Sequence, residues 1–327
     1  MIATDRTFMQ DFDTSVRTAK GLLLVALLLL TAAGQPRPTA EASAGQGGDA
    51  ARVLAGAIDI HVHHLPDDRP RSIDAIDVAK LAASRGMRAI VLKNHYESTA
   101  GLAYLVRKLV PGIEVFGGID LNLTVGGINP AAVEHMTRVT GGWGRVVWMP
   151  TFDAENQVRS SKENRPFVSV AADGALLPAV QQVIALVAKH GLVHATGHSA
   201  PAEGLMLLRE GRRQGVQQMV VTHAMNAPVL MDVPQMQEAA KLGAFIEFVG
   251  GSVAAANAGE RIDRFADAIR KIGPEFCILS SDLGQMGNPL PPDGFGAFLL
   301  ALRARGFTEQ EVDLMSKRNP ARLLRLP

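Results

Sequence analysis

From Ala57 onward the chain repeats one rhythm: an apolar run of strand length, a longer stretch of helical period, a glycine, then the next apolar run. The runs read as strands at Ala57–His61, Ala89–Lys93, Val115–Ile119, Arg145–Met149, Val193–Gly197, Gln218–Thr222, Ala244–Val249 and Phe276–Ser280. They are rich in Val, Ile and Phe and continuous rather than alternating, as suits parallel strands buried on both faces. The intervening stretches predict helices, among them Ser72–Arg85, Leu176–His190, Ala202–Gln214, Val233–Leu242 and Glu260–Ile272. Gly86, Gly112, Gly191, Gly215, Gly243 and Gly273 close successive segments, where a residue free to turn left-handed lets the chain enter the next strand.

Alternating strands and helices imply a parallel sheet with right-handed crossovers. The units and the folded length fit a closed (β/α)8 TIM barrel, α/β in class and a single domain. The rival is an open doubly wound sheet, but no G-x-G-x-x-G follows the first strand, so a dinucleotide site has no support.

The N-terminus breaks the rhythm. Gly21–Ala33 reads GLLLVALLLLTAA behind Arg17 and Lys20, the length and flank of a secretory signal and too short to span a bilayer comfortably. Residues 1–34 are therefore expected to be a signal peptide, 35–56 a Pro-, Gly-, Ala- and Ser-rich linker without fold, and 57–327 the barrel. A signal implies export, in a bacterium to the periplasm; without one the chain is cytoplasmic.

Composition narrows the chemistry. The 327 residues carry a formal net charge of +1 and only 5% aromatics, which gives no reason to expect a nucleic-acid partner. Cys277 is the single cysteine, so no intramolecular disulfide and no cysteine metal cluster can form. Any metal must rest on histidine and carboxylate. Oligomeric state leaves no clear mark.

A barrel places its functional groups at the C-terminal ends of its strands. Strand one ends in Asp59-Ile60-His61-Val62-His63, where period two points His61 and His63 the same way. Further polar groups end strand two (Lys93, Asn94, His95), strand five (His198), strand six (His223) and strand eight (Ser281, Asp282). Asp59 is expected on the inward face below His61, and Glu247, inside strand seven, needs a buried partner. His64, His135, His190 and His194 read as loop or structural.

These stations, in this order, resemble the amidohydrolase superfamily of metal-dependent TIM-barrel hydrolases, in a compact branch without the appended β-sandwich. The resemblance runs from Ile58 to Leu324 and includes the closing Asn319-Pro320-Ala321-Arg322-Leu323-Leu324. It implies that His61, His63 and His198 ligate a metal, with Asp282 as ligand or general base. His223 would orient the attacking water or ligate a second metal. One Zn2+ is the expected ion, with Fe, Mn or Ni as alternatives. The chain departs from binuclear members, because no lysine or glutamate ends strand four. Lys93 is left either to bridge two metals as a carbamate or to bind an anionic substrate. The implied reaction is hydrolysis of a C–N or C–O bond in a small molecule: an amide, cyclic amide, lactone or ester. A decarboxylase or lyase on the same barrel, and a non-catalytic exported metal- or ligand-binding protein, are the alternatives. Lys93, His95 and Arg165 are the candidate substrate contacts. Arg165 belongs to the long polar stretch Phe152–Gly174, expected to lie over the site without helical period.

Overall fold

The computed structural model describes residues 48–251 and 257–327. The expected signal peptide and most of the expected linker lie outside the described residues. The linker's end is folded: residues 48–54 are helical, and Val53 and Leu54 join the core, so the domain begins before residue 57.

Eight parallel strands follow one another around the barrel: β1 (Ile58–Val62), β2 (Ala89–Leu92), β3 (Glu114–Asp120), β4 (Gly144–Trp148), β5 (Val193–Ala195), β6 (Gln218–Val221), β7 (Ala244–Val249) and β8 (Cys277–Ser280). The ring closes between β8 and β1 just beyond the last strand. There the Asp282 N–H donates to the His61 carbonyl (3.0 Å) and the His63 N–H to the Leu283 carbonyl (2.9 Å). The expected strands are all present with ends shifted by a residue or two. β5, for example, stops at Ala195, because the left-handed Gly197 takes the chain out of the sheet.

The helices packed outside are α1 (Ala75–Ser84), α2 (Ala100–Leu109), α3 (Pro130–Arg138), α4 (Glu155–Ser160), α5 (Pro178–His190), α6 (Pro201–Arg213), α7 (Val233–Lys241), α8 (Ala258–Ile272) and α9 (Pro291–Arg303). Asp74 caps α1 by accepting the Ile76 and Asp77 N–H groups, which moves its start from the expected Ser72. α4 and the small hairpin Ala171–Ala172/Ala175–Leu176 occupy the stretch after β4, so it is more structured than its sequence implies. Among the described residues, no helix is long and apolar enough to cross a membrane.

The core has two layers. One lies between sheet and helices. The other fills the barrel with Ile58, Ile60, Val91, Phe116, Trp148, Val193, Val220 and Ile278. Leu323 and Leu324, from the closing helix Asn319–Leu324, join the inner layer. Burying a leucine contributes about 1.5–3 kcal/mol. Asn319 anchors that helix under β8 by donating to the Cys277 carbonyl (2.7 Å) and the Pro274 carbonyl (3.0 Å). Cys277 is buried, and burial pushes its thiol far up, which fits packing rather than reactivity.

Candidate metal centre and cavity

The site begins with a break in β1. Asp59 Oδ1 accepts the backbone N–H of His61 (3.1 Å) and of Ser281 (3.0 Å). The His61 N–H is thereby withdrawn from the ladder, and the β1–β2 register slips between Asp59 and Val62. Ile60 therefore packs inside the barrel, and so does its neighbour His61, whose ring lies 6.5 Å from that of Trp148. Asp59 thus holds backbone at the seam, and burial raises its carboxyl to about 6.

His61, His63 and Asp282 converge, with one potential ligand atom from each within 4.8 Å of the others. Asp282 Oδ1 lies 3.3 Å from His61 Nε2 and 3.1 Å from His63 Nε2. On its other side, His61 Nδ1 stands 3.2 Å from Glu247 Oε1. A carboxylate only accepts, so Nδ1 carries the hydrogen and Nε2 is turned toward Asp282. Glu247 also accepts the His223 N–H at 2.8 Å. Burial opposes charge on His61, but Asp282 and Glu247 outweigh it and raise its pKa. Burial likewise works against the Asp282 carboxylate; His61 and His63 overcome it and hold the group well below the usual carboxylate range. Burial keeps His63 and His198 well below the ordinary histidine value and lowers His223, which favours the neutral imidazole that a metal or a substrate hydrogen needs. Two imidazole nitrogens and a carboxylate oxygen around one point fit a divalent cation such as zinc.

His198 stands beside this group rather than in it. Its ring is 4.8 Å from that of His223, and its Nδ1 is fixed 2.9 Å from Gln157 Oε1, which turns Nε2 free. The preceding Gly197 has φ +61°, and a Cβ there would lie 2.2 Å from the Met149 carbonyl oxygen, so only glycine fits. His223 and Asp282 also sit at positive φ, 27° and 51°, which is strained for side-chain-bearing residues and common at functional sites.

A second buried network lies next door. Asp120 Oδ2 accepts from Lys93 Nζ (2.8 Å) and Thr151 Oγ1 (2.9 Å), and Thr151 Oγ1 in turn accepts from Asn122 Nδ2 (2.7 Å). With the hydroxyl hydrogen committed to Asp120, His95 Nδ1, 2.8 Å from the same oxygen, must donate. His95 then shows a bare Nε2.

Of the expected substrate contacts, His95 lines the cavity, while Lys93 and Arg165 do not. Lys93 is fully buried, neutralised by Asp120 and 5.3 Å from the centre of the Trp148 ring. Arg165 instead ties down its own loop, pairing with Asp153 (2.6 Å) and Glu163.

The cavity, about 230 Å³, is walled by His61, His63, His95, His198, His223 and Asp282 together with Arg71, Phe152, Gln157, Ala227 and Gln285. Phe152 and Gln157 place the stretch after β4 over the site, as expected. Arg71, Gln157 and Gln285 went unread in the sequence, because each reaches the cavity along a loop or short helix whose path no periodicity encodes.

Solved structures share this fold at low identity. An amidohydrolase from Pseudomonas aeruginosa aligns at 14% identity over 86% of this chain and 98% of its own, with a TM-score of 0.59. The phosphotriesterase homology protein of Escherichia coli, solved with phosphate in its active site, aligns at 17% over 82% and 98%, TM-score 0.56. A Deinococcus radiodurans lactonase variant aligns at 18% over 84% and 97%, TM-score 0.56. These likenesses establish the TIM-barrel fold. A search of curated proteins returned no match. Residues 56–247 match the Family of unknown function (DUF6282), more than half of the chain, and it is to that family that this barrel belongs.

Proposed function

We propose that the chain is a metal-dependent hydrolase that opens a C–N or C–O bond of a small molecule with water. The convergence of His61, His63 and Asp282 at the C-terminal mouth of the barrel, facing the cavity, carries this reading. A divalent ion bound there would supply a Lewis acid that acidifies water and polarises the scissile carbonyl. His61 and His63 would hold it, with His61 aimed by Glu247. Asp282 would take the proton from the attacking water and pass it to the leaving group. His198, its ring held by Gln157, and His223, its backbone N–H held by Glu247, would orient that water or the substrate.

The test is the metal content of the purified full chain beside a His61→Ala, His63→Ala double variant. Close to one divalent metal per chain, absent from the variant, is the expected result; a folded wild type that takes up no metal after reconstitution would sink the reading. Asp282→Asn should retain part of the metal and lose turnover of amides and lactones by about 10²–10⁴-fold.

A further inference from the structure

We propose that the cavity takes a substrate bearing a carboxylate and that Arg71 holds that carboxylate. Arg71 is 7% exposed and forms part of the cavity wall. Its Nε donates to Asp67 at 2.6 Å, which fixes one edge of the guanidinium. Its Nη2 is buried and has no partner among the described residues. A buried donor left unmade costs about 1–3 kcal/mol, and more when it is charged; Asp67 Oδ1 is likewise buried and unpartnered among the described residues, and a ligand oxygen that meets the guanidinium from the cavity side would satisfy the donor.

The arginine is also held in place before any ligand arrives. Its backbone bridges Gln285, and the Ser72 N–H donates to the Gly284 carbonyl at 2.8 Å. Gln285 in turn donates to the Asp282 carbonyl at 3.0 Å. The anion site and the metal centre are thus parts of one rigid loop pair, and one small molecule can span both. Lys93 and Arg165, the other basic candidates, are paired with Asp120, Asp153 and Glu163 away from the cavity, whereas Arg71, paired with Asp67 through Nε, is the one lysine or arginine among the described residues that line it. A planar fork with one edge already on Asp67 suits a singly charged, planar carboxylate better than a phosphate dianion beside Asp282.

The word substrate rests on the hydrolase reading; the anion site does not. The experiment follows the guanidinium nitrogen resonance of Arg71 by NMR in metal-stripped and zinc-loaded full chain, titrated with acetate, neutral acetamide or inorganic phosphate. Acetate should shift it saturably in both forms, acetamide should not, and Arg71→Lys should weaken acetate binding at least tenfold. No response to acetate, an equal response to acetamide, tighter binding of phosphate, or binding that needs zinc and ignores Arg71→Lys would each overturn the proposal. The wild-type resonance decides even if the variant fails to fold. Zinc content of the same samples tests the hydrolase reading separately, since a chain that binds acetate through Arg71 yet holds no zinc refutes only that reading.

Discussion

His61 and Glu247 meet across the barrel with Nδ1 3.2 Å from Oε1, although 186 residues separate them in the chain. The contact settles which nitrogen of His61 faces the cavity. Glu247→Gln keeps an acceptor for Nδ1 but removes the charge that makes the imidazole a stronger ligand. Metal affinity should fall about 10–100-fold with the fold intact, measured by competition with a chelating dye. Unchanged affinity would reduce Glu247 to a packing role.

Thr151 is the hub through which Asp120 fixes the His95 tautomer. Thr151→Val keeps the shape but removes the hydroxyl, leaving buried polar partners unmatched at a cost of about 1–3 kcal/mol. Catalytic rate should drop while metal content stays at the wild-type level. A parallel loss of metal would place His95 in the ligand set instead.

Gly197→Ala should destabilise sharply. The left-handed backbone alone costs an alanine about 1–3 kcal/mol, and the contact with the Met149 carbonyl adds to it. Gly215 has φ +84° with open space around it, so Gly215→Ala carries the strain without the clash. Urea unfolding of the two variants should rank Gly197→Ala as clearly worse; equal losses would mean that the Met149 segment moves aside at no cost.

His194 lies buried in β5 with neither ring nitrogen partnered among the described residues, and burial lowers its pKa to about 4. In the unfolded chain it titrates near ~6.5. Below that value the unfolded state binds the proton first, so His194 costs the fold stability progressively as pH falls from about 6.5 to about 4, and nothing above that window. The loss between pH 7 and pH 5 amounts to about 2 kcal/mol. In His194→Leu the fall in unfolding free energy over that interval should shrink by this amount.

Much of the site was legible because topology does the placing. Once the repeat predicts a parallel barrel, the C-terminal ends of all strands share one face, and His61, His63, His95, His198, His223 and Asp282 follow from position alone. Side-chain parity failed at Asp59, where a carboxylate bonded to its own strand's N–H shifts the phase. The fate of Lys93 was not readable either. A lysine at a strand end can face the cavity or a neighbouring strand, and the partner that decides it, Asp120, ends a different strand. Arg71 follows β1 by a loop that carries no period, and only the folded path brings it to the wall. Residues 48–54 misled by composition, since their small residues suit a linker and a helix alike.

The closing seam sets the order in which the protein is made competent. His63 and Asp282 stand 219 residues apart yet meet at 3.1 Å, and they do so where the last strand docks on the first. A chain still on the ribosome, with its first strand already synthesised, therefore owns both histidines of the pair but lacks their carboxylate. Capture of the proposed metal would await the finished barrel, and a polypeptide arrested before β8 carries a histidine pair with nothing to close it.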